Sequence, residues 1–320
     1  MRRQSFLVET ENVLNEVSRQ FDFVWPSLAG IAFLQKELNN YRNNNPTASE
    51  YDCQTIFVQD QALSRISFTN IFPNKSMDDF KEEQAKALLF SLFALYEGWL
   101  LHLKNKRLIN NQQYKGLQFY DSTGRHRVLI SIANSRESIL LKEAFYDNLS
   151  SNRRYSLNKF NNQLLCYRVF KEIRNCIIHN AGLCSTELYD NINLFSSLIT
   201  VPTDLNVRQL FNISAMNIGD KINLDLFDVV GLSDIIIKMI WTIDTELSKS
   251  FISEQWFISQ LISGNSKHYP RNDTIVLKKN LRKTKSFVQS LEFPKLKRWD
   301  EIYKRISDTN GRFKKQQELT

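Results

Sequence analysis

The sequence predicts a mainly α protein, a helical bundle with a small β-hairpin insertion. Three observations carry that expectation. Apolar residues recur at helical spacing through most of the 320 residues. Only 9 Gly and 6 Pro are present, too few for the many turns of a sandwich or barrel. Hydrophobic residues make up 42% of the chain and aromatics 12%, enough to bury a core and to exclude a disordered polymer.

The elements follow in order. Phe6, Val13, Leu14, Val17 and Phe21 share one face of a first helix. A second helix is expected from about Pro26 to Tyr41, with the proline in its first turn, where a missing N–H costs nothing. The run Asn43-Asn44-Asn45-Pro46 breaks the pattern, and Thr55–Val58 has the composition of a short strand. Ser76-Met77-Asp78-Asp79 has the form of a helix start, a serine cap followed by acids that complement the helix dipole. A long helix is expected from there to about Leu103. Its most apolar part, Ala85 to Leu103, is interrupted by Lys86, Glu97 and His102 and reads as a buried helix rather than a membrane span. Residues 104–131 look irregular, with a turn at Asp121–Gly124.

Further helices are expected at about Ser135–Asn148, Leu157–Asn180, Glu187–Ile199 and Leu232–Ser248, with Gly182 placed to end the second of these in a left-handed cap. Between the last two, Phe211-x-Ile213-x-Ala215 and Ile222-x-Leu224-x-Leu226 alternate around Asn217-Ile218-Gly219-Asp220, the pattern of a hairpin. The expected organisation is an N-terminal helical lobe (1–75), a bundle (76–250) and a basic C-terminal segment (251–320). No internal repeat is visible.

The net charge of +8 is unevenly placed. From Ser250 onward there are 15 basic and 7 acidic residues, while the preceding part holds 27 of each. A localised basic segment is the electrostatic footprint of a polyanion partner. Lys278, Lys279, Arg282 and Lys283, with Phe287, Phe293 and Trp299 among the later residues, are the candidate RNA-binding group, because phosphates pair with cations and unpaired bases stack on rings. The same aromatics suit packing against the bundle equally well.

Other classes of function find no support. Cys53, Cys166, Cys176 and Cys184 form no CxxC pair, so buried reduced thiols in a cytoplasmic protein are expected. The N-terminus lacks the apolar stretch of a signal peptide. Four dispersed histidines without ligand spacing suggest no metal site, and no glycine-rich phosphate loop or nucleophile elbow is present. No cofactor is expected.

The informative stretch is Phe170-Lys171-Glu172-Ile173-Arg174-Asn175-Cys176-Ile177-Ile178-His179-Asn180-Ala181-Gly182. Arg174 offers a permanent planar fork for phosphate oxygens, and His179 a group that exchanges protons near neutrality. Asn175, four residues before His179, shares its helix face. Arg174 lies about 140° from His179 around an ideal helix, so one straight helix assembles the pair poorly. An earlier helix carries Ala94-Leu95-Tyr96-Glu97-Gly98-Trp99.

This pattern resembles the signature of the HEPN superfamily (higher eukaryotes and prokaryotes nucleotide-binding), an Arg followed after four to six residues by His, often with Asn next to the Arg. The segment around Glu97 is similar to the acidic, aromatic first core helix of several such families. The resemblance covers residues 76–250, and only 170–182 is specific. It implies a HEPN-like bundle and a metal-independent endoribonuclease that leaves a 2′,3′-cyclic phosphate and a 5′-hydroxyl. Arg174, Asn175, His179 and Glu97 would be its catalytic residues. It also implies a homodimer with two motifs facing each other, acting on single-stranded or structured RNA such as tRNA. A role as a toxin or abortive-infection effector in antiviral defence, with an antitoxin or defence-system partner, belongs to the same implication. The alternatives are a non-catalytic RNA-binding or adaptor module, and a sensor whose basic segment reads nucleic acid.

Overall fold

A computed structural model describes residues 4–58, 67–68, 75–119, 132, 136–211, 213 and 216–264. The protein is mainly α, a helical bundle built around one long, enclosed helix. Its helices are α1 (Val8–Asn44), α2 (Glu50–Phe57), α3 (Met77–Asn105), α4 (Asn111–Gly116), α5, α6 (Phe160–His179), α7 (Thr186–Leu198), α8 (Leu226–Leu247) and α9 (Phe251–Gly264). The fifth, α5, joins Ile139–Leu141 and Asp147–Leu149 through a π-helical turn at Lys142–Tyr146.

The central element is α8. Every residue from Lys238 to Ser250 is buried, which requires neighbours on all sides. Those neighbours are α1, α3 and α6. Ile235, Ile236, Met239, Ile240 and Ile243 of α8 share a single core with Leu89, Leu92, Phe93 and Tyr96 of α3, with Leu165, Val169 and Phe170 of α6, and with Val13, Leu14 and Val17 of α1. A smaller apolar cluster joins Leu38, Cys53 and Phe68.

Local signals set several helix ends. Ser76 accepts from the Asp79 N–H while Asp79 accepts from the Ser76 N–H, a complete capping box at the start of α3. Ser49 with Asp52 and Asn110 with Gln113 repeat the device at α2 and α4. At the end of α6, Ala181 (φ 51°) and Gly182 (φ 76°) turn left-handed, and the Gly182 N–H returns to the Cys176 carbonyl at 3.0 Å.

Three expectations are corrected. The break expected between Phe21 and Pro26 is absent, because α1 runs unbroken from Val8 to Asn44 with Pro26 inside it. Proline lacks one helix hydrogen bond, but Val24 and Leu28 on either side are anchored in the core, and that packing holds the helix straight through. Thr55–Val58 is not a strand, since the Ser49 capping box draws residues 50–57 into α2. Helix α8 starts at Leu226 rather than Leu232, with Asp225 accepting from the Phe227 N–H at 2.7 Å.

Of the expected hairpin, residues 212, 214 and 215 of the first run lie outside the described residues, and the second run meets the turn after α6. The Ile222 N–H donates to the Gly182 carbonyl at 2.9 Å, the Cys184 N–H to the Asp220 carbonyl at 2.8 Å, and the Gly219 N–H to the Cys184 carbonyl at 2.9 Å. An antiparallel bridge joins Leu183 to Lys221. Alternation reports an extended chain with one face buried, as Ile222 and Leu224 are, without naming its partner. The turn expected at Asp121–Gly124 lies outside the described residues, as does most of the basic segment, including Lys278, Lys279, Arg282 and Lys283.

Candidate functional site at the end of helix α6

Two polar stripes run along α6 beside its apolar face. Spacings of four and three place Tyr167, Lys171 and Arg174 in one stripe, and Arg168, Glu172, Asn175 and His179 in the next. The first stripe faces α3. There Glu97 is the shared acceptor: Tyr167 Oη donates to Glu97 Oε1 at 3.2 Å, Lys171 Nζ lies 3.0 Å from the same oxygen, and Arg174 Nη1 lies 3.4 Å away. The Arg174 guanidinium also sits over the Phe93 ring at 4.9 Å from its centroid. Lys171 is covered by Phe119, with Nζ 4.4 Å from the ring centroid, and donates to Gln118 Oε1 at 3.4 Å.

The second stripe is a chain of charge-assisted contacts. Arg168 Nη1 lies 2.8 Å from Glu172 Oε1, and Asn175 Nδ2 donates to Glu172 Oε2 at 3.3 Å. Arg168 pairs as well with Glu187 at the start of α7. The two stripes meet where Arg174 Nη2 donates to Asn175 Oδ1 at 3.1 Å. Asn175 thus orients the guanidinium and not the imidazole. His179 stands exposed on the last turn of α6 and makes no hydrogen bond to another described residue.

The electrostatics follow from burial. Burial pushes the Lys171 ammonium below the ordinary lysine value, with the Glu97 carboxylate opposing that shift. Burial pushes the Tyr167 phenol well above its ordinary value, and the Glu97 charge adds to the effect. Tyr167 is therefore a neutral donor to Glu97 at any physiological pH. Arg168, Lys171 and Arg174 are balanced in charge by Glu97, Glu172 and Glu187, so what the site offers a phosphodiester is the planar donor fork of Arg174 rather than an excess of positive charge.

The structure places Glu97, Arg174 and Asn175 in one contact network and leaves His179 one turn beyond it. Sequence reading missed Tyr167, Lys171, Arg168 and Glu172. The 167-171-174 and 168-172-175-179 spacings were the available signal, because polar residues repeating at three and four along a core helix need a partner surface. Among the described residues no group of three His, Cys, Asp or Glu side chains is arranged to hold a metal ion. Helix α3 is long and apolar enough to cross a membrane by composition alone, but much of its apolar surface lies in the bundle core. Comparison with known protein families, with curated proteins and with solved structures finds no match.

Glu97 is the keystone of the network, and Glu97→Gln tests that. The substitution keeps the shape and removes the charge that three donors share. The expected loss of stability is about 1–3 kcal/mol, below the range for a fully buried pair because the carboxylate is 28% exposed. Urea denaturation measures it. An unchanged midpoint would mean that Glu97 anchors neither Lys171 nor Arg174.

Proposed function

We propose that this protein is a metal-independent endoribonuclease whose site is formed by Arg174 and His179, with Asn175 and Glu97 positioning the arginine. The observation that carries this reading is the held guanidinium beside an exposed histidine at the end of α6. Cleavage would proceed by attack of a 2′-oxygen on the adjacent phosphorus. The 2′-hydroxyl proton leaves to a base, the bond from phosphorus to the 5′-oxygen breaks, and that oxygen takes a proton. The products are a 2′,3′-cyclic phosphate and a 5′-hydroxyl. His179 supplies the proton-transfer group. Arg174 supports the charge on the phosphorane oxygens.

The active unit in this reading is a homodimer. Arg174 belongs to the stripe facing α3 and His179 to the neighbouring stripe, so one chain does not aim both at a single phosphate. Two copies with their α6 ends together would. The basic residues Lys278, Lys279, Arg282 and Lys283 would add RNA affinity, and a role in antiviral defence, in the cytoplasm, completes the proposal. A second reading is favoured by one observation: Glu97, Asn175 and Phe93 already engage the Arg174 guanidinium. In that reading the network is structural and the protein is a non-catalytic RNA-binding or adaptor module.

Cleavage of single-stranded RNA by purified protein in EDTA separates the two. The expected products carry a cyclic phosphate, and specific activity should rise with protein concentration through the monomer–dimer transition. Activity that is metal-dependent, or full in a monomer at high dilution, would refute the proposal or its dimeric form respectively.

A further inference from the structure

A second candidate site lies away from the end of α6. A cleft of about 1160 Å³ opens between the first turns of α8, the loop 206–211 and the turn at Arg153–Arg154. Four cations line it: Arg153, Arg154, Arg208 and Lys238. Lys238 is already committed, to Asp234 and to the Asn206 carbonyl. The three arginines make no ion pair with a described residue. The Arg154 guanidinium instead lies 5.7 Å from the centroid of the Trp241 ring.

The walls are fixed by buried contacts. Tyr155 Oη donates to Glu246 Oε1 at 2.6 Å, and the Ser156 N–H to Thr242 Oγ1 at 3.0 Å, so the arginine turn is fastened to α8. Gln163 Nε2 donates to the Leu205 carbonyl at 3.0 Å and holds the facing loop to α6. Asn206 adopts φ 59° there, a left-handed conformation that asparagine tolerates but rarely needs. Gly231 leaves room for the loop to close: a Cβ at that position would stand 2.7 Å from Phe211 Cε1. Three guanidiniums without an ion pair to a described residue line the cleft and, with Lys238, outnumber the three carboxylates there, so an anion can engage them.

We propose that this cleft binds a nucleoside diphosphate, with the phosphates on Arg153, Arg154 and Arg208 and the ring system against Phe227. Phe227 lines the cleft and is 68% exposed; its ring meets Trp25 at 6.5 Å between centroids, and its open surface is available to a second ring. Asp225, Asp228 and Asp234 on the α8 wall decide against a polynucleotide, because a continuous row of phosphates would pass three carboxylates. A compact anion attached to a body rich in hydroxyl and amino donors meets both signs of charge. The cleft is large enough, since ligand pockets commonly span about 300–1,000 Å³. This assignment does not depend on RNA cleavage at α6.

Isothermal titration of the full chain with ADP, pyrophosphate, adenosine and a 12-nucleotide RNA tests it. ADP should bind, pyrophosphate more weakly and adenosine least. The double charge reversal R153E/R208E, at two exposed residues, should weaken ADP by roughly tenfold or more while the melting temperature stays close to wild type. Phe227→Ala should weaken ADP and leave pyrophosphate unchanged. Failure of wild-type protein to bind ADP at millimolar concentration overturns the proposal, as does ADP affinity that is indifferent to the double reversal. Equal affinity for ADP and pyrophosphate removes the nucleoside part. RNA binding that depends on these arginines without ADP binding would make the cleft a polynucleotide track and defeat the assignment.

Discussion

His179→Ala should lower RNA cleavage by about 10²–10⁴-fold, the usual contribution of a positioned proton-transfer group, while the protein stays folded. The physical reason for expecting a clean effect is exposure. His179 stands on the last turn of α6 outside the core, and no described residue depends on it for a hydrogen bond. Its removal should therefore leave the melting temperature within the small range of surface substitutions. Arg174→Lys makes the complementary test. Lysine keeps the charge and can still reach Glu97, but it lacks the planar fork that spans Glu97 and Asn175 together. Activity should fall steeply with Arg174→Lys although net charge is unchanged. Wild-type rates in the His179→Ala protein, with contaminating nuclease excluded, would sink the catalytic reading and leave the RNA-binding or adaptor reading in place.

The largest expected effect on stability belongs to Asp244→Ala. Asp244 sits on α8 with 1% of its surface exposed. Its carboxylate accepts from the Phe6 N–H at 2.6 Å, the Leu7 N–H at 3.1 Å and Thr10 Oγ1 at 2.7 Å. Helix α1 has no side-chain cap of its own, because its first flanking residue is Leu7. The backbone leading into α1 is held instead by a carboxylate more than two hundred residues later in the chain. Thr10 Oγ1 in turn accepts from Trp99 Nε1 at 3.2 Å, so the same carboxylate organises the junction of α1, α3 and α8. Alanine would leave two backbone donors buried without this acceptor, and a loss of about 3–5 kcal/mol is expected. That is a large part of the ~5–15 kcal/mol available to a natural protein. Equilibrium denaturation in urea measures it, and hydrogen exchange should show the first turns of α1 opening first. A loss under about 1 kcal/mol would mean that water or neighbouring groups replace the carboxylate, and that the junction is not held there.

Much of the secondary structure was legible in the sequence, for a physical reason. The capping box at Ser76 and Asp79, the left-handed end at Gly182 and the 3.6-residue periodicity of α3, α6 and α8 are encoded within a few neighbouring residues. Chemistry confined to a turn or two of helix does not wait for the rest of the chain. The mainly α character and the positions of Arg174, Asn175 and His179 at a helix end follow from such signals alone.

The tertiary structure decided everything that depends on a distant partner. Pro26 stays inside α1 because the core grips Val24 and Leu28 on both sides of it. The extended run at Ile222 pairs with Gly182, and this ties the end of α6 to the start of α8. Glu97 receives Arg174 and Lys171 only because α3 and α6 pack with those faces together. Asp244 holds the backbone at Phe6 and Leu7 that leads into α1. In each case the sequence supplied a side chain with an unmet requirement, a buried charge, an unpaired N–H or an extended edge. Only the packing of helices far apart in the chain determined which group would satisfy it.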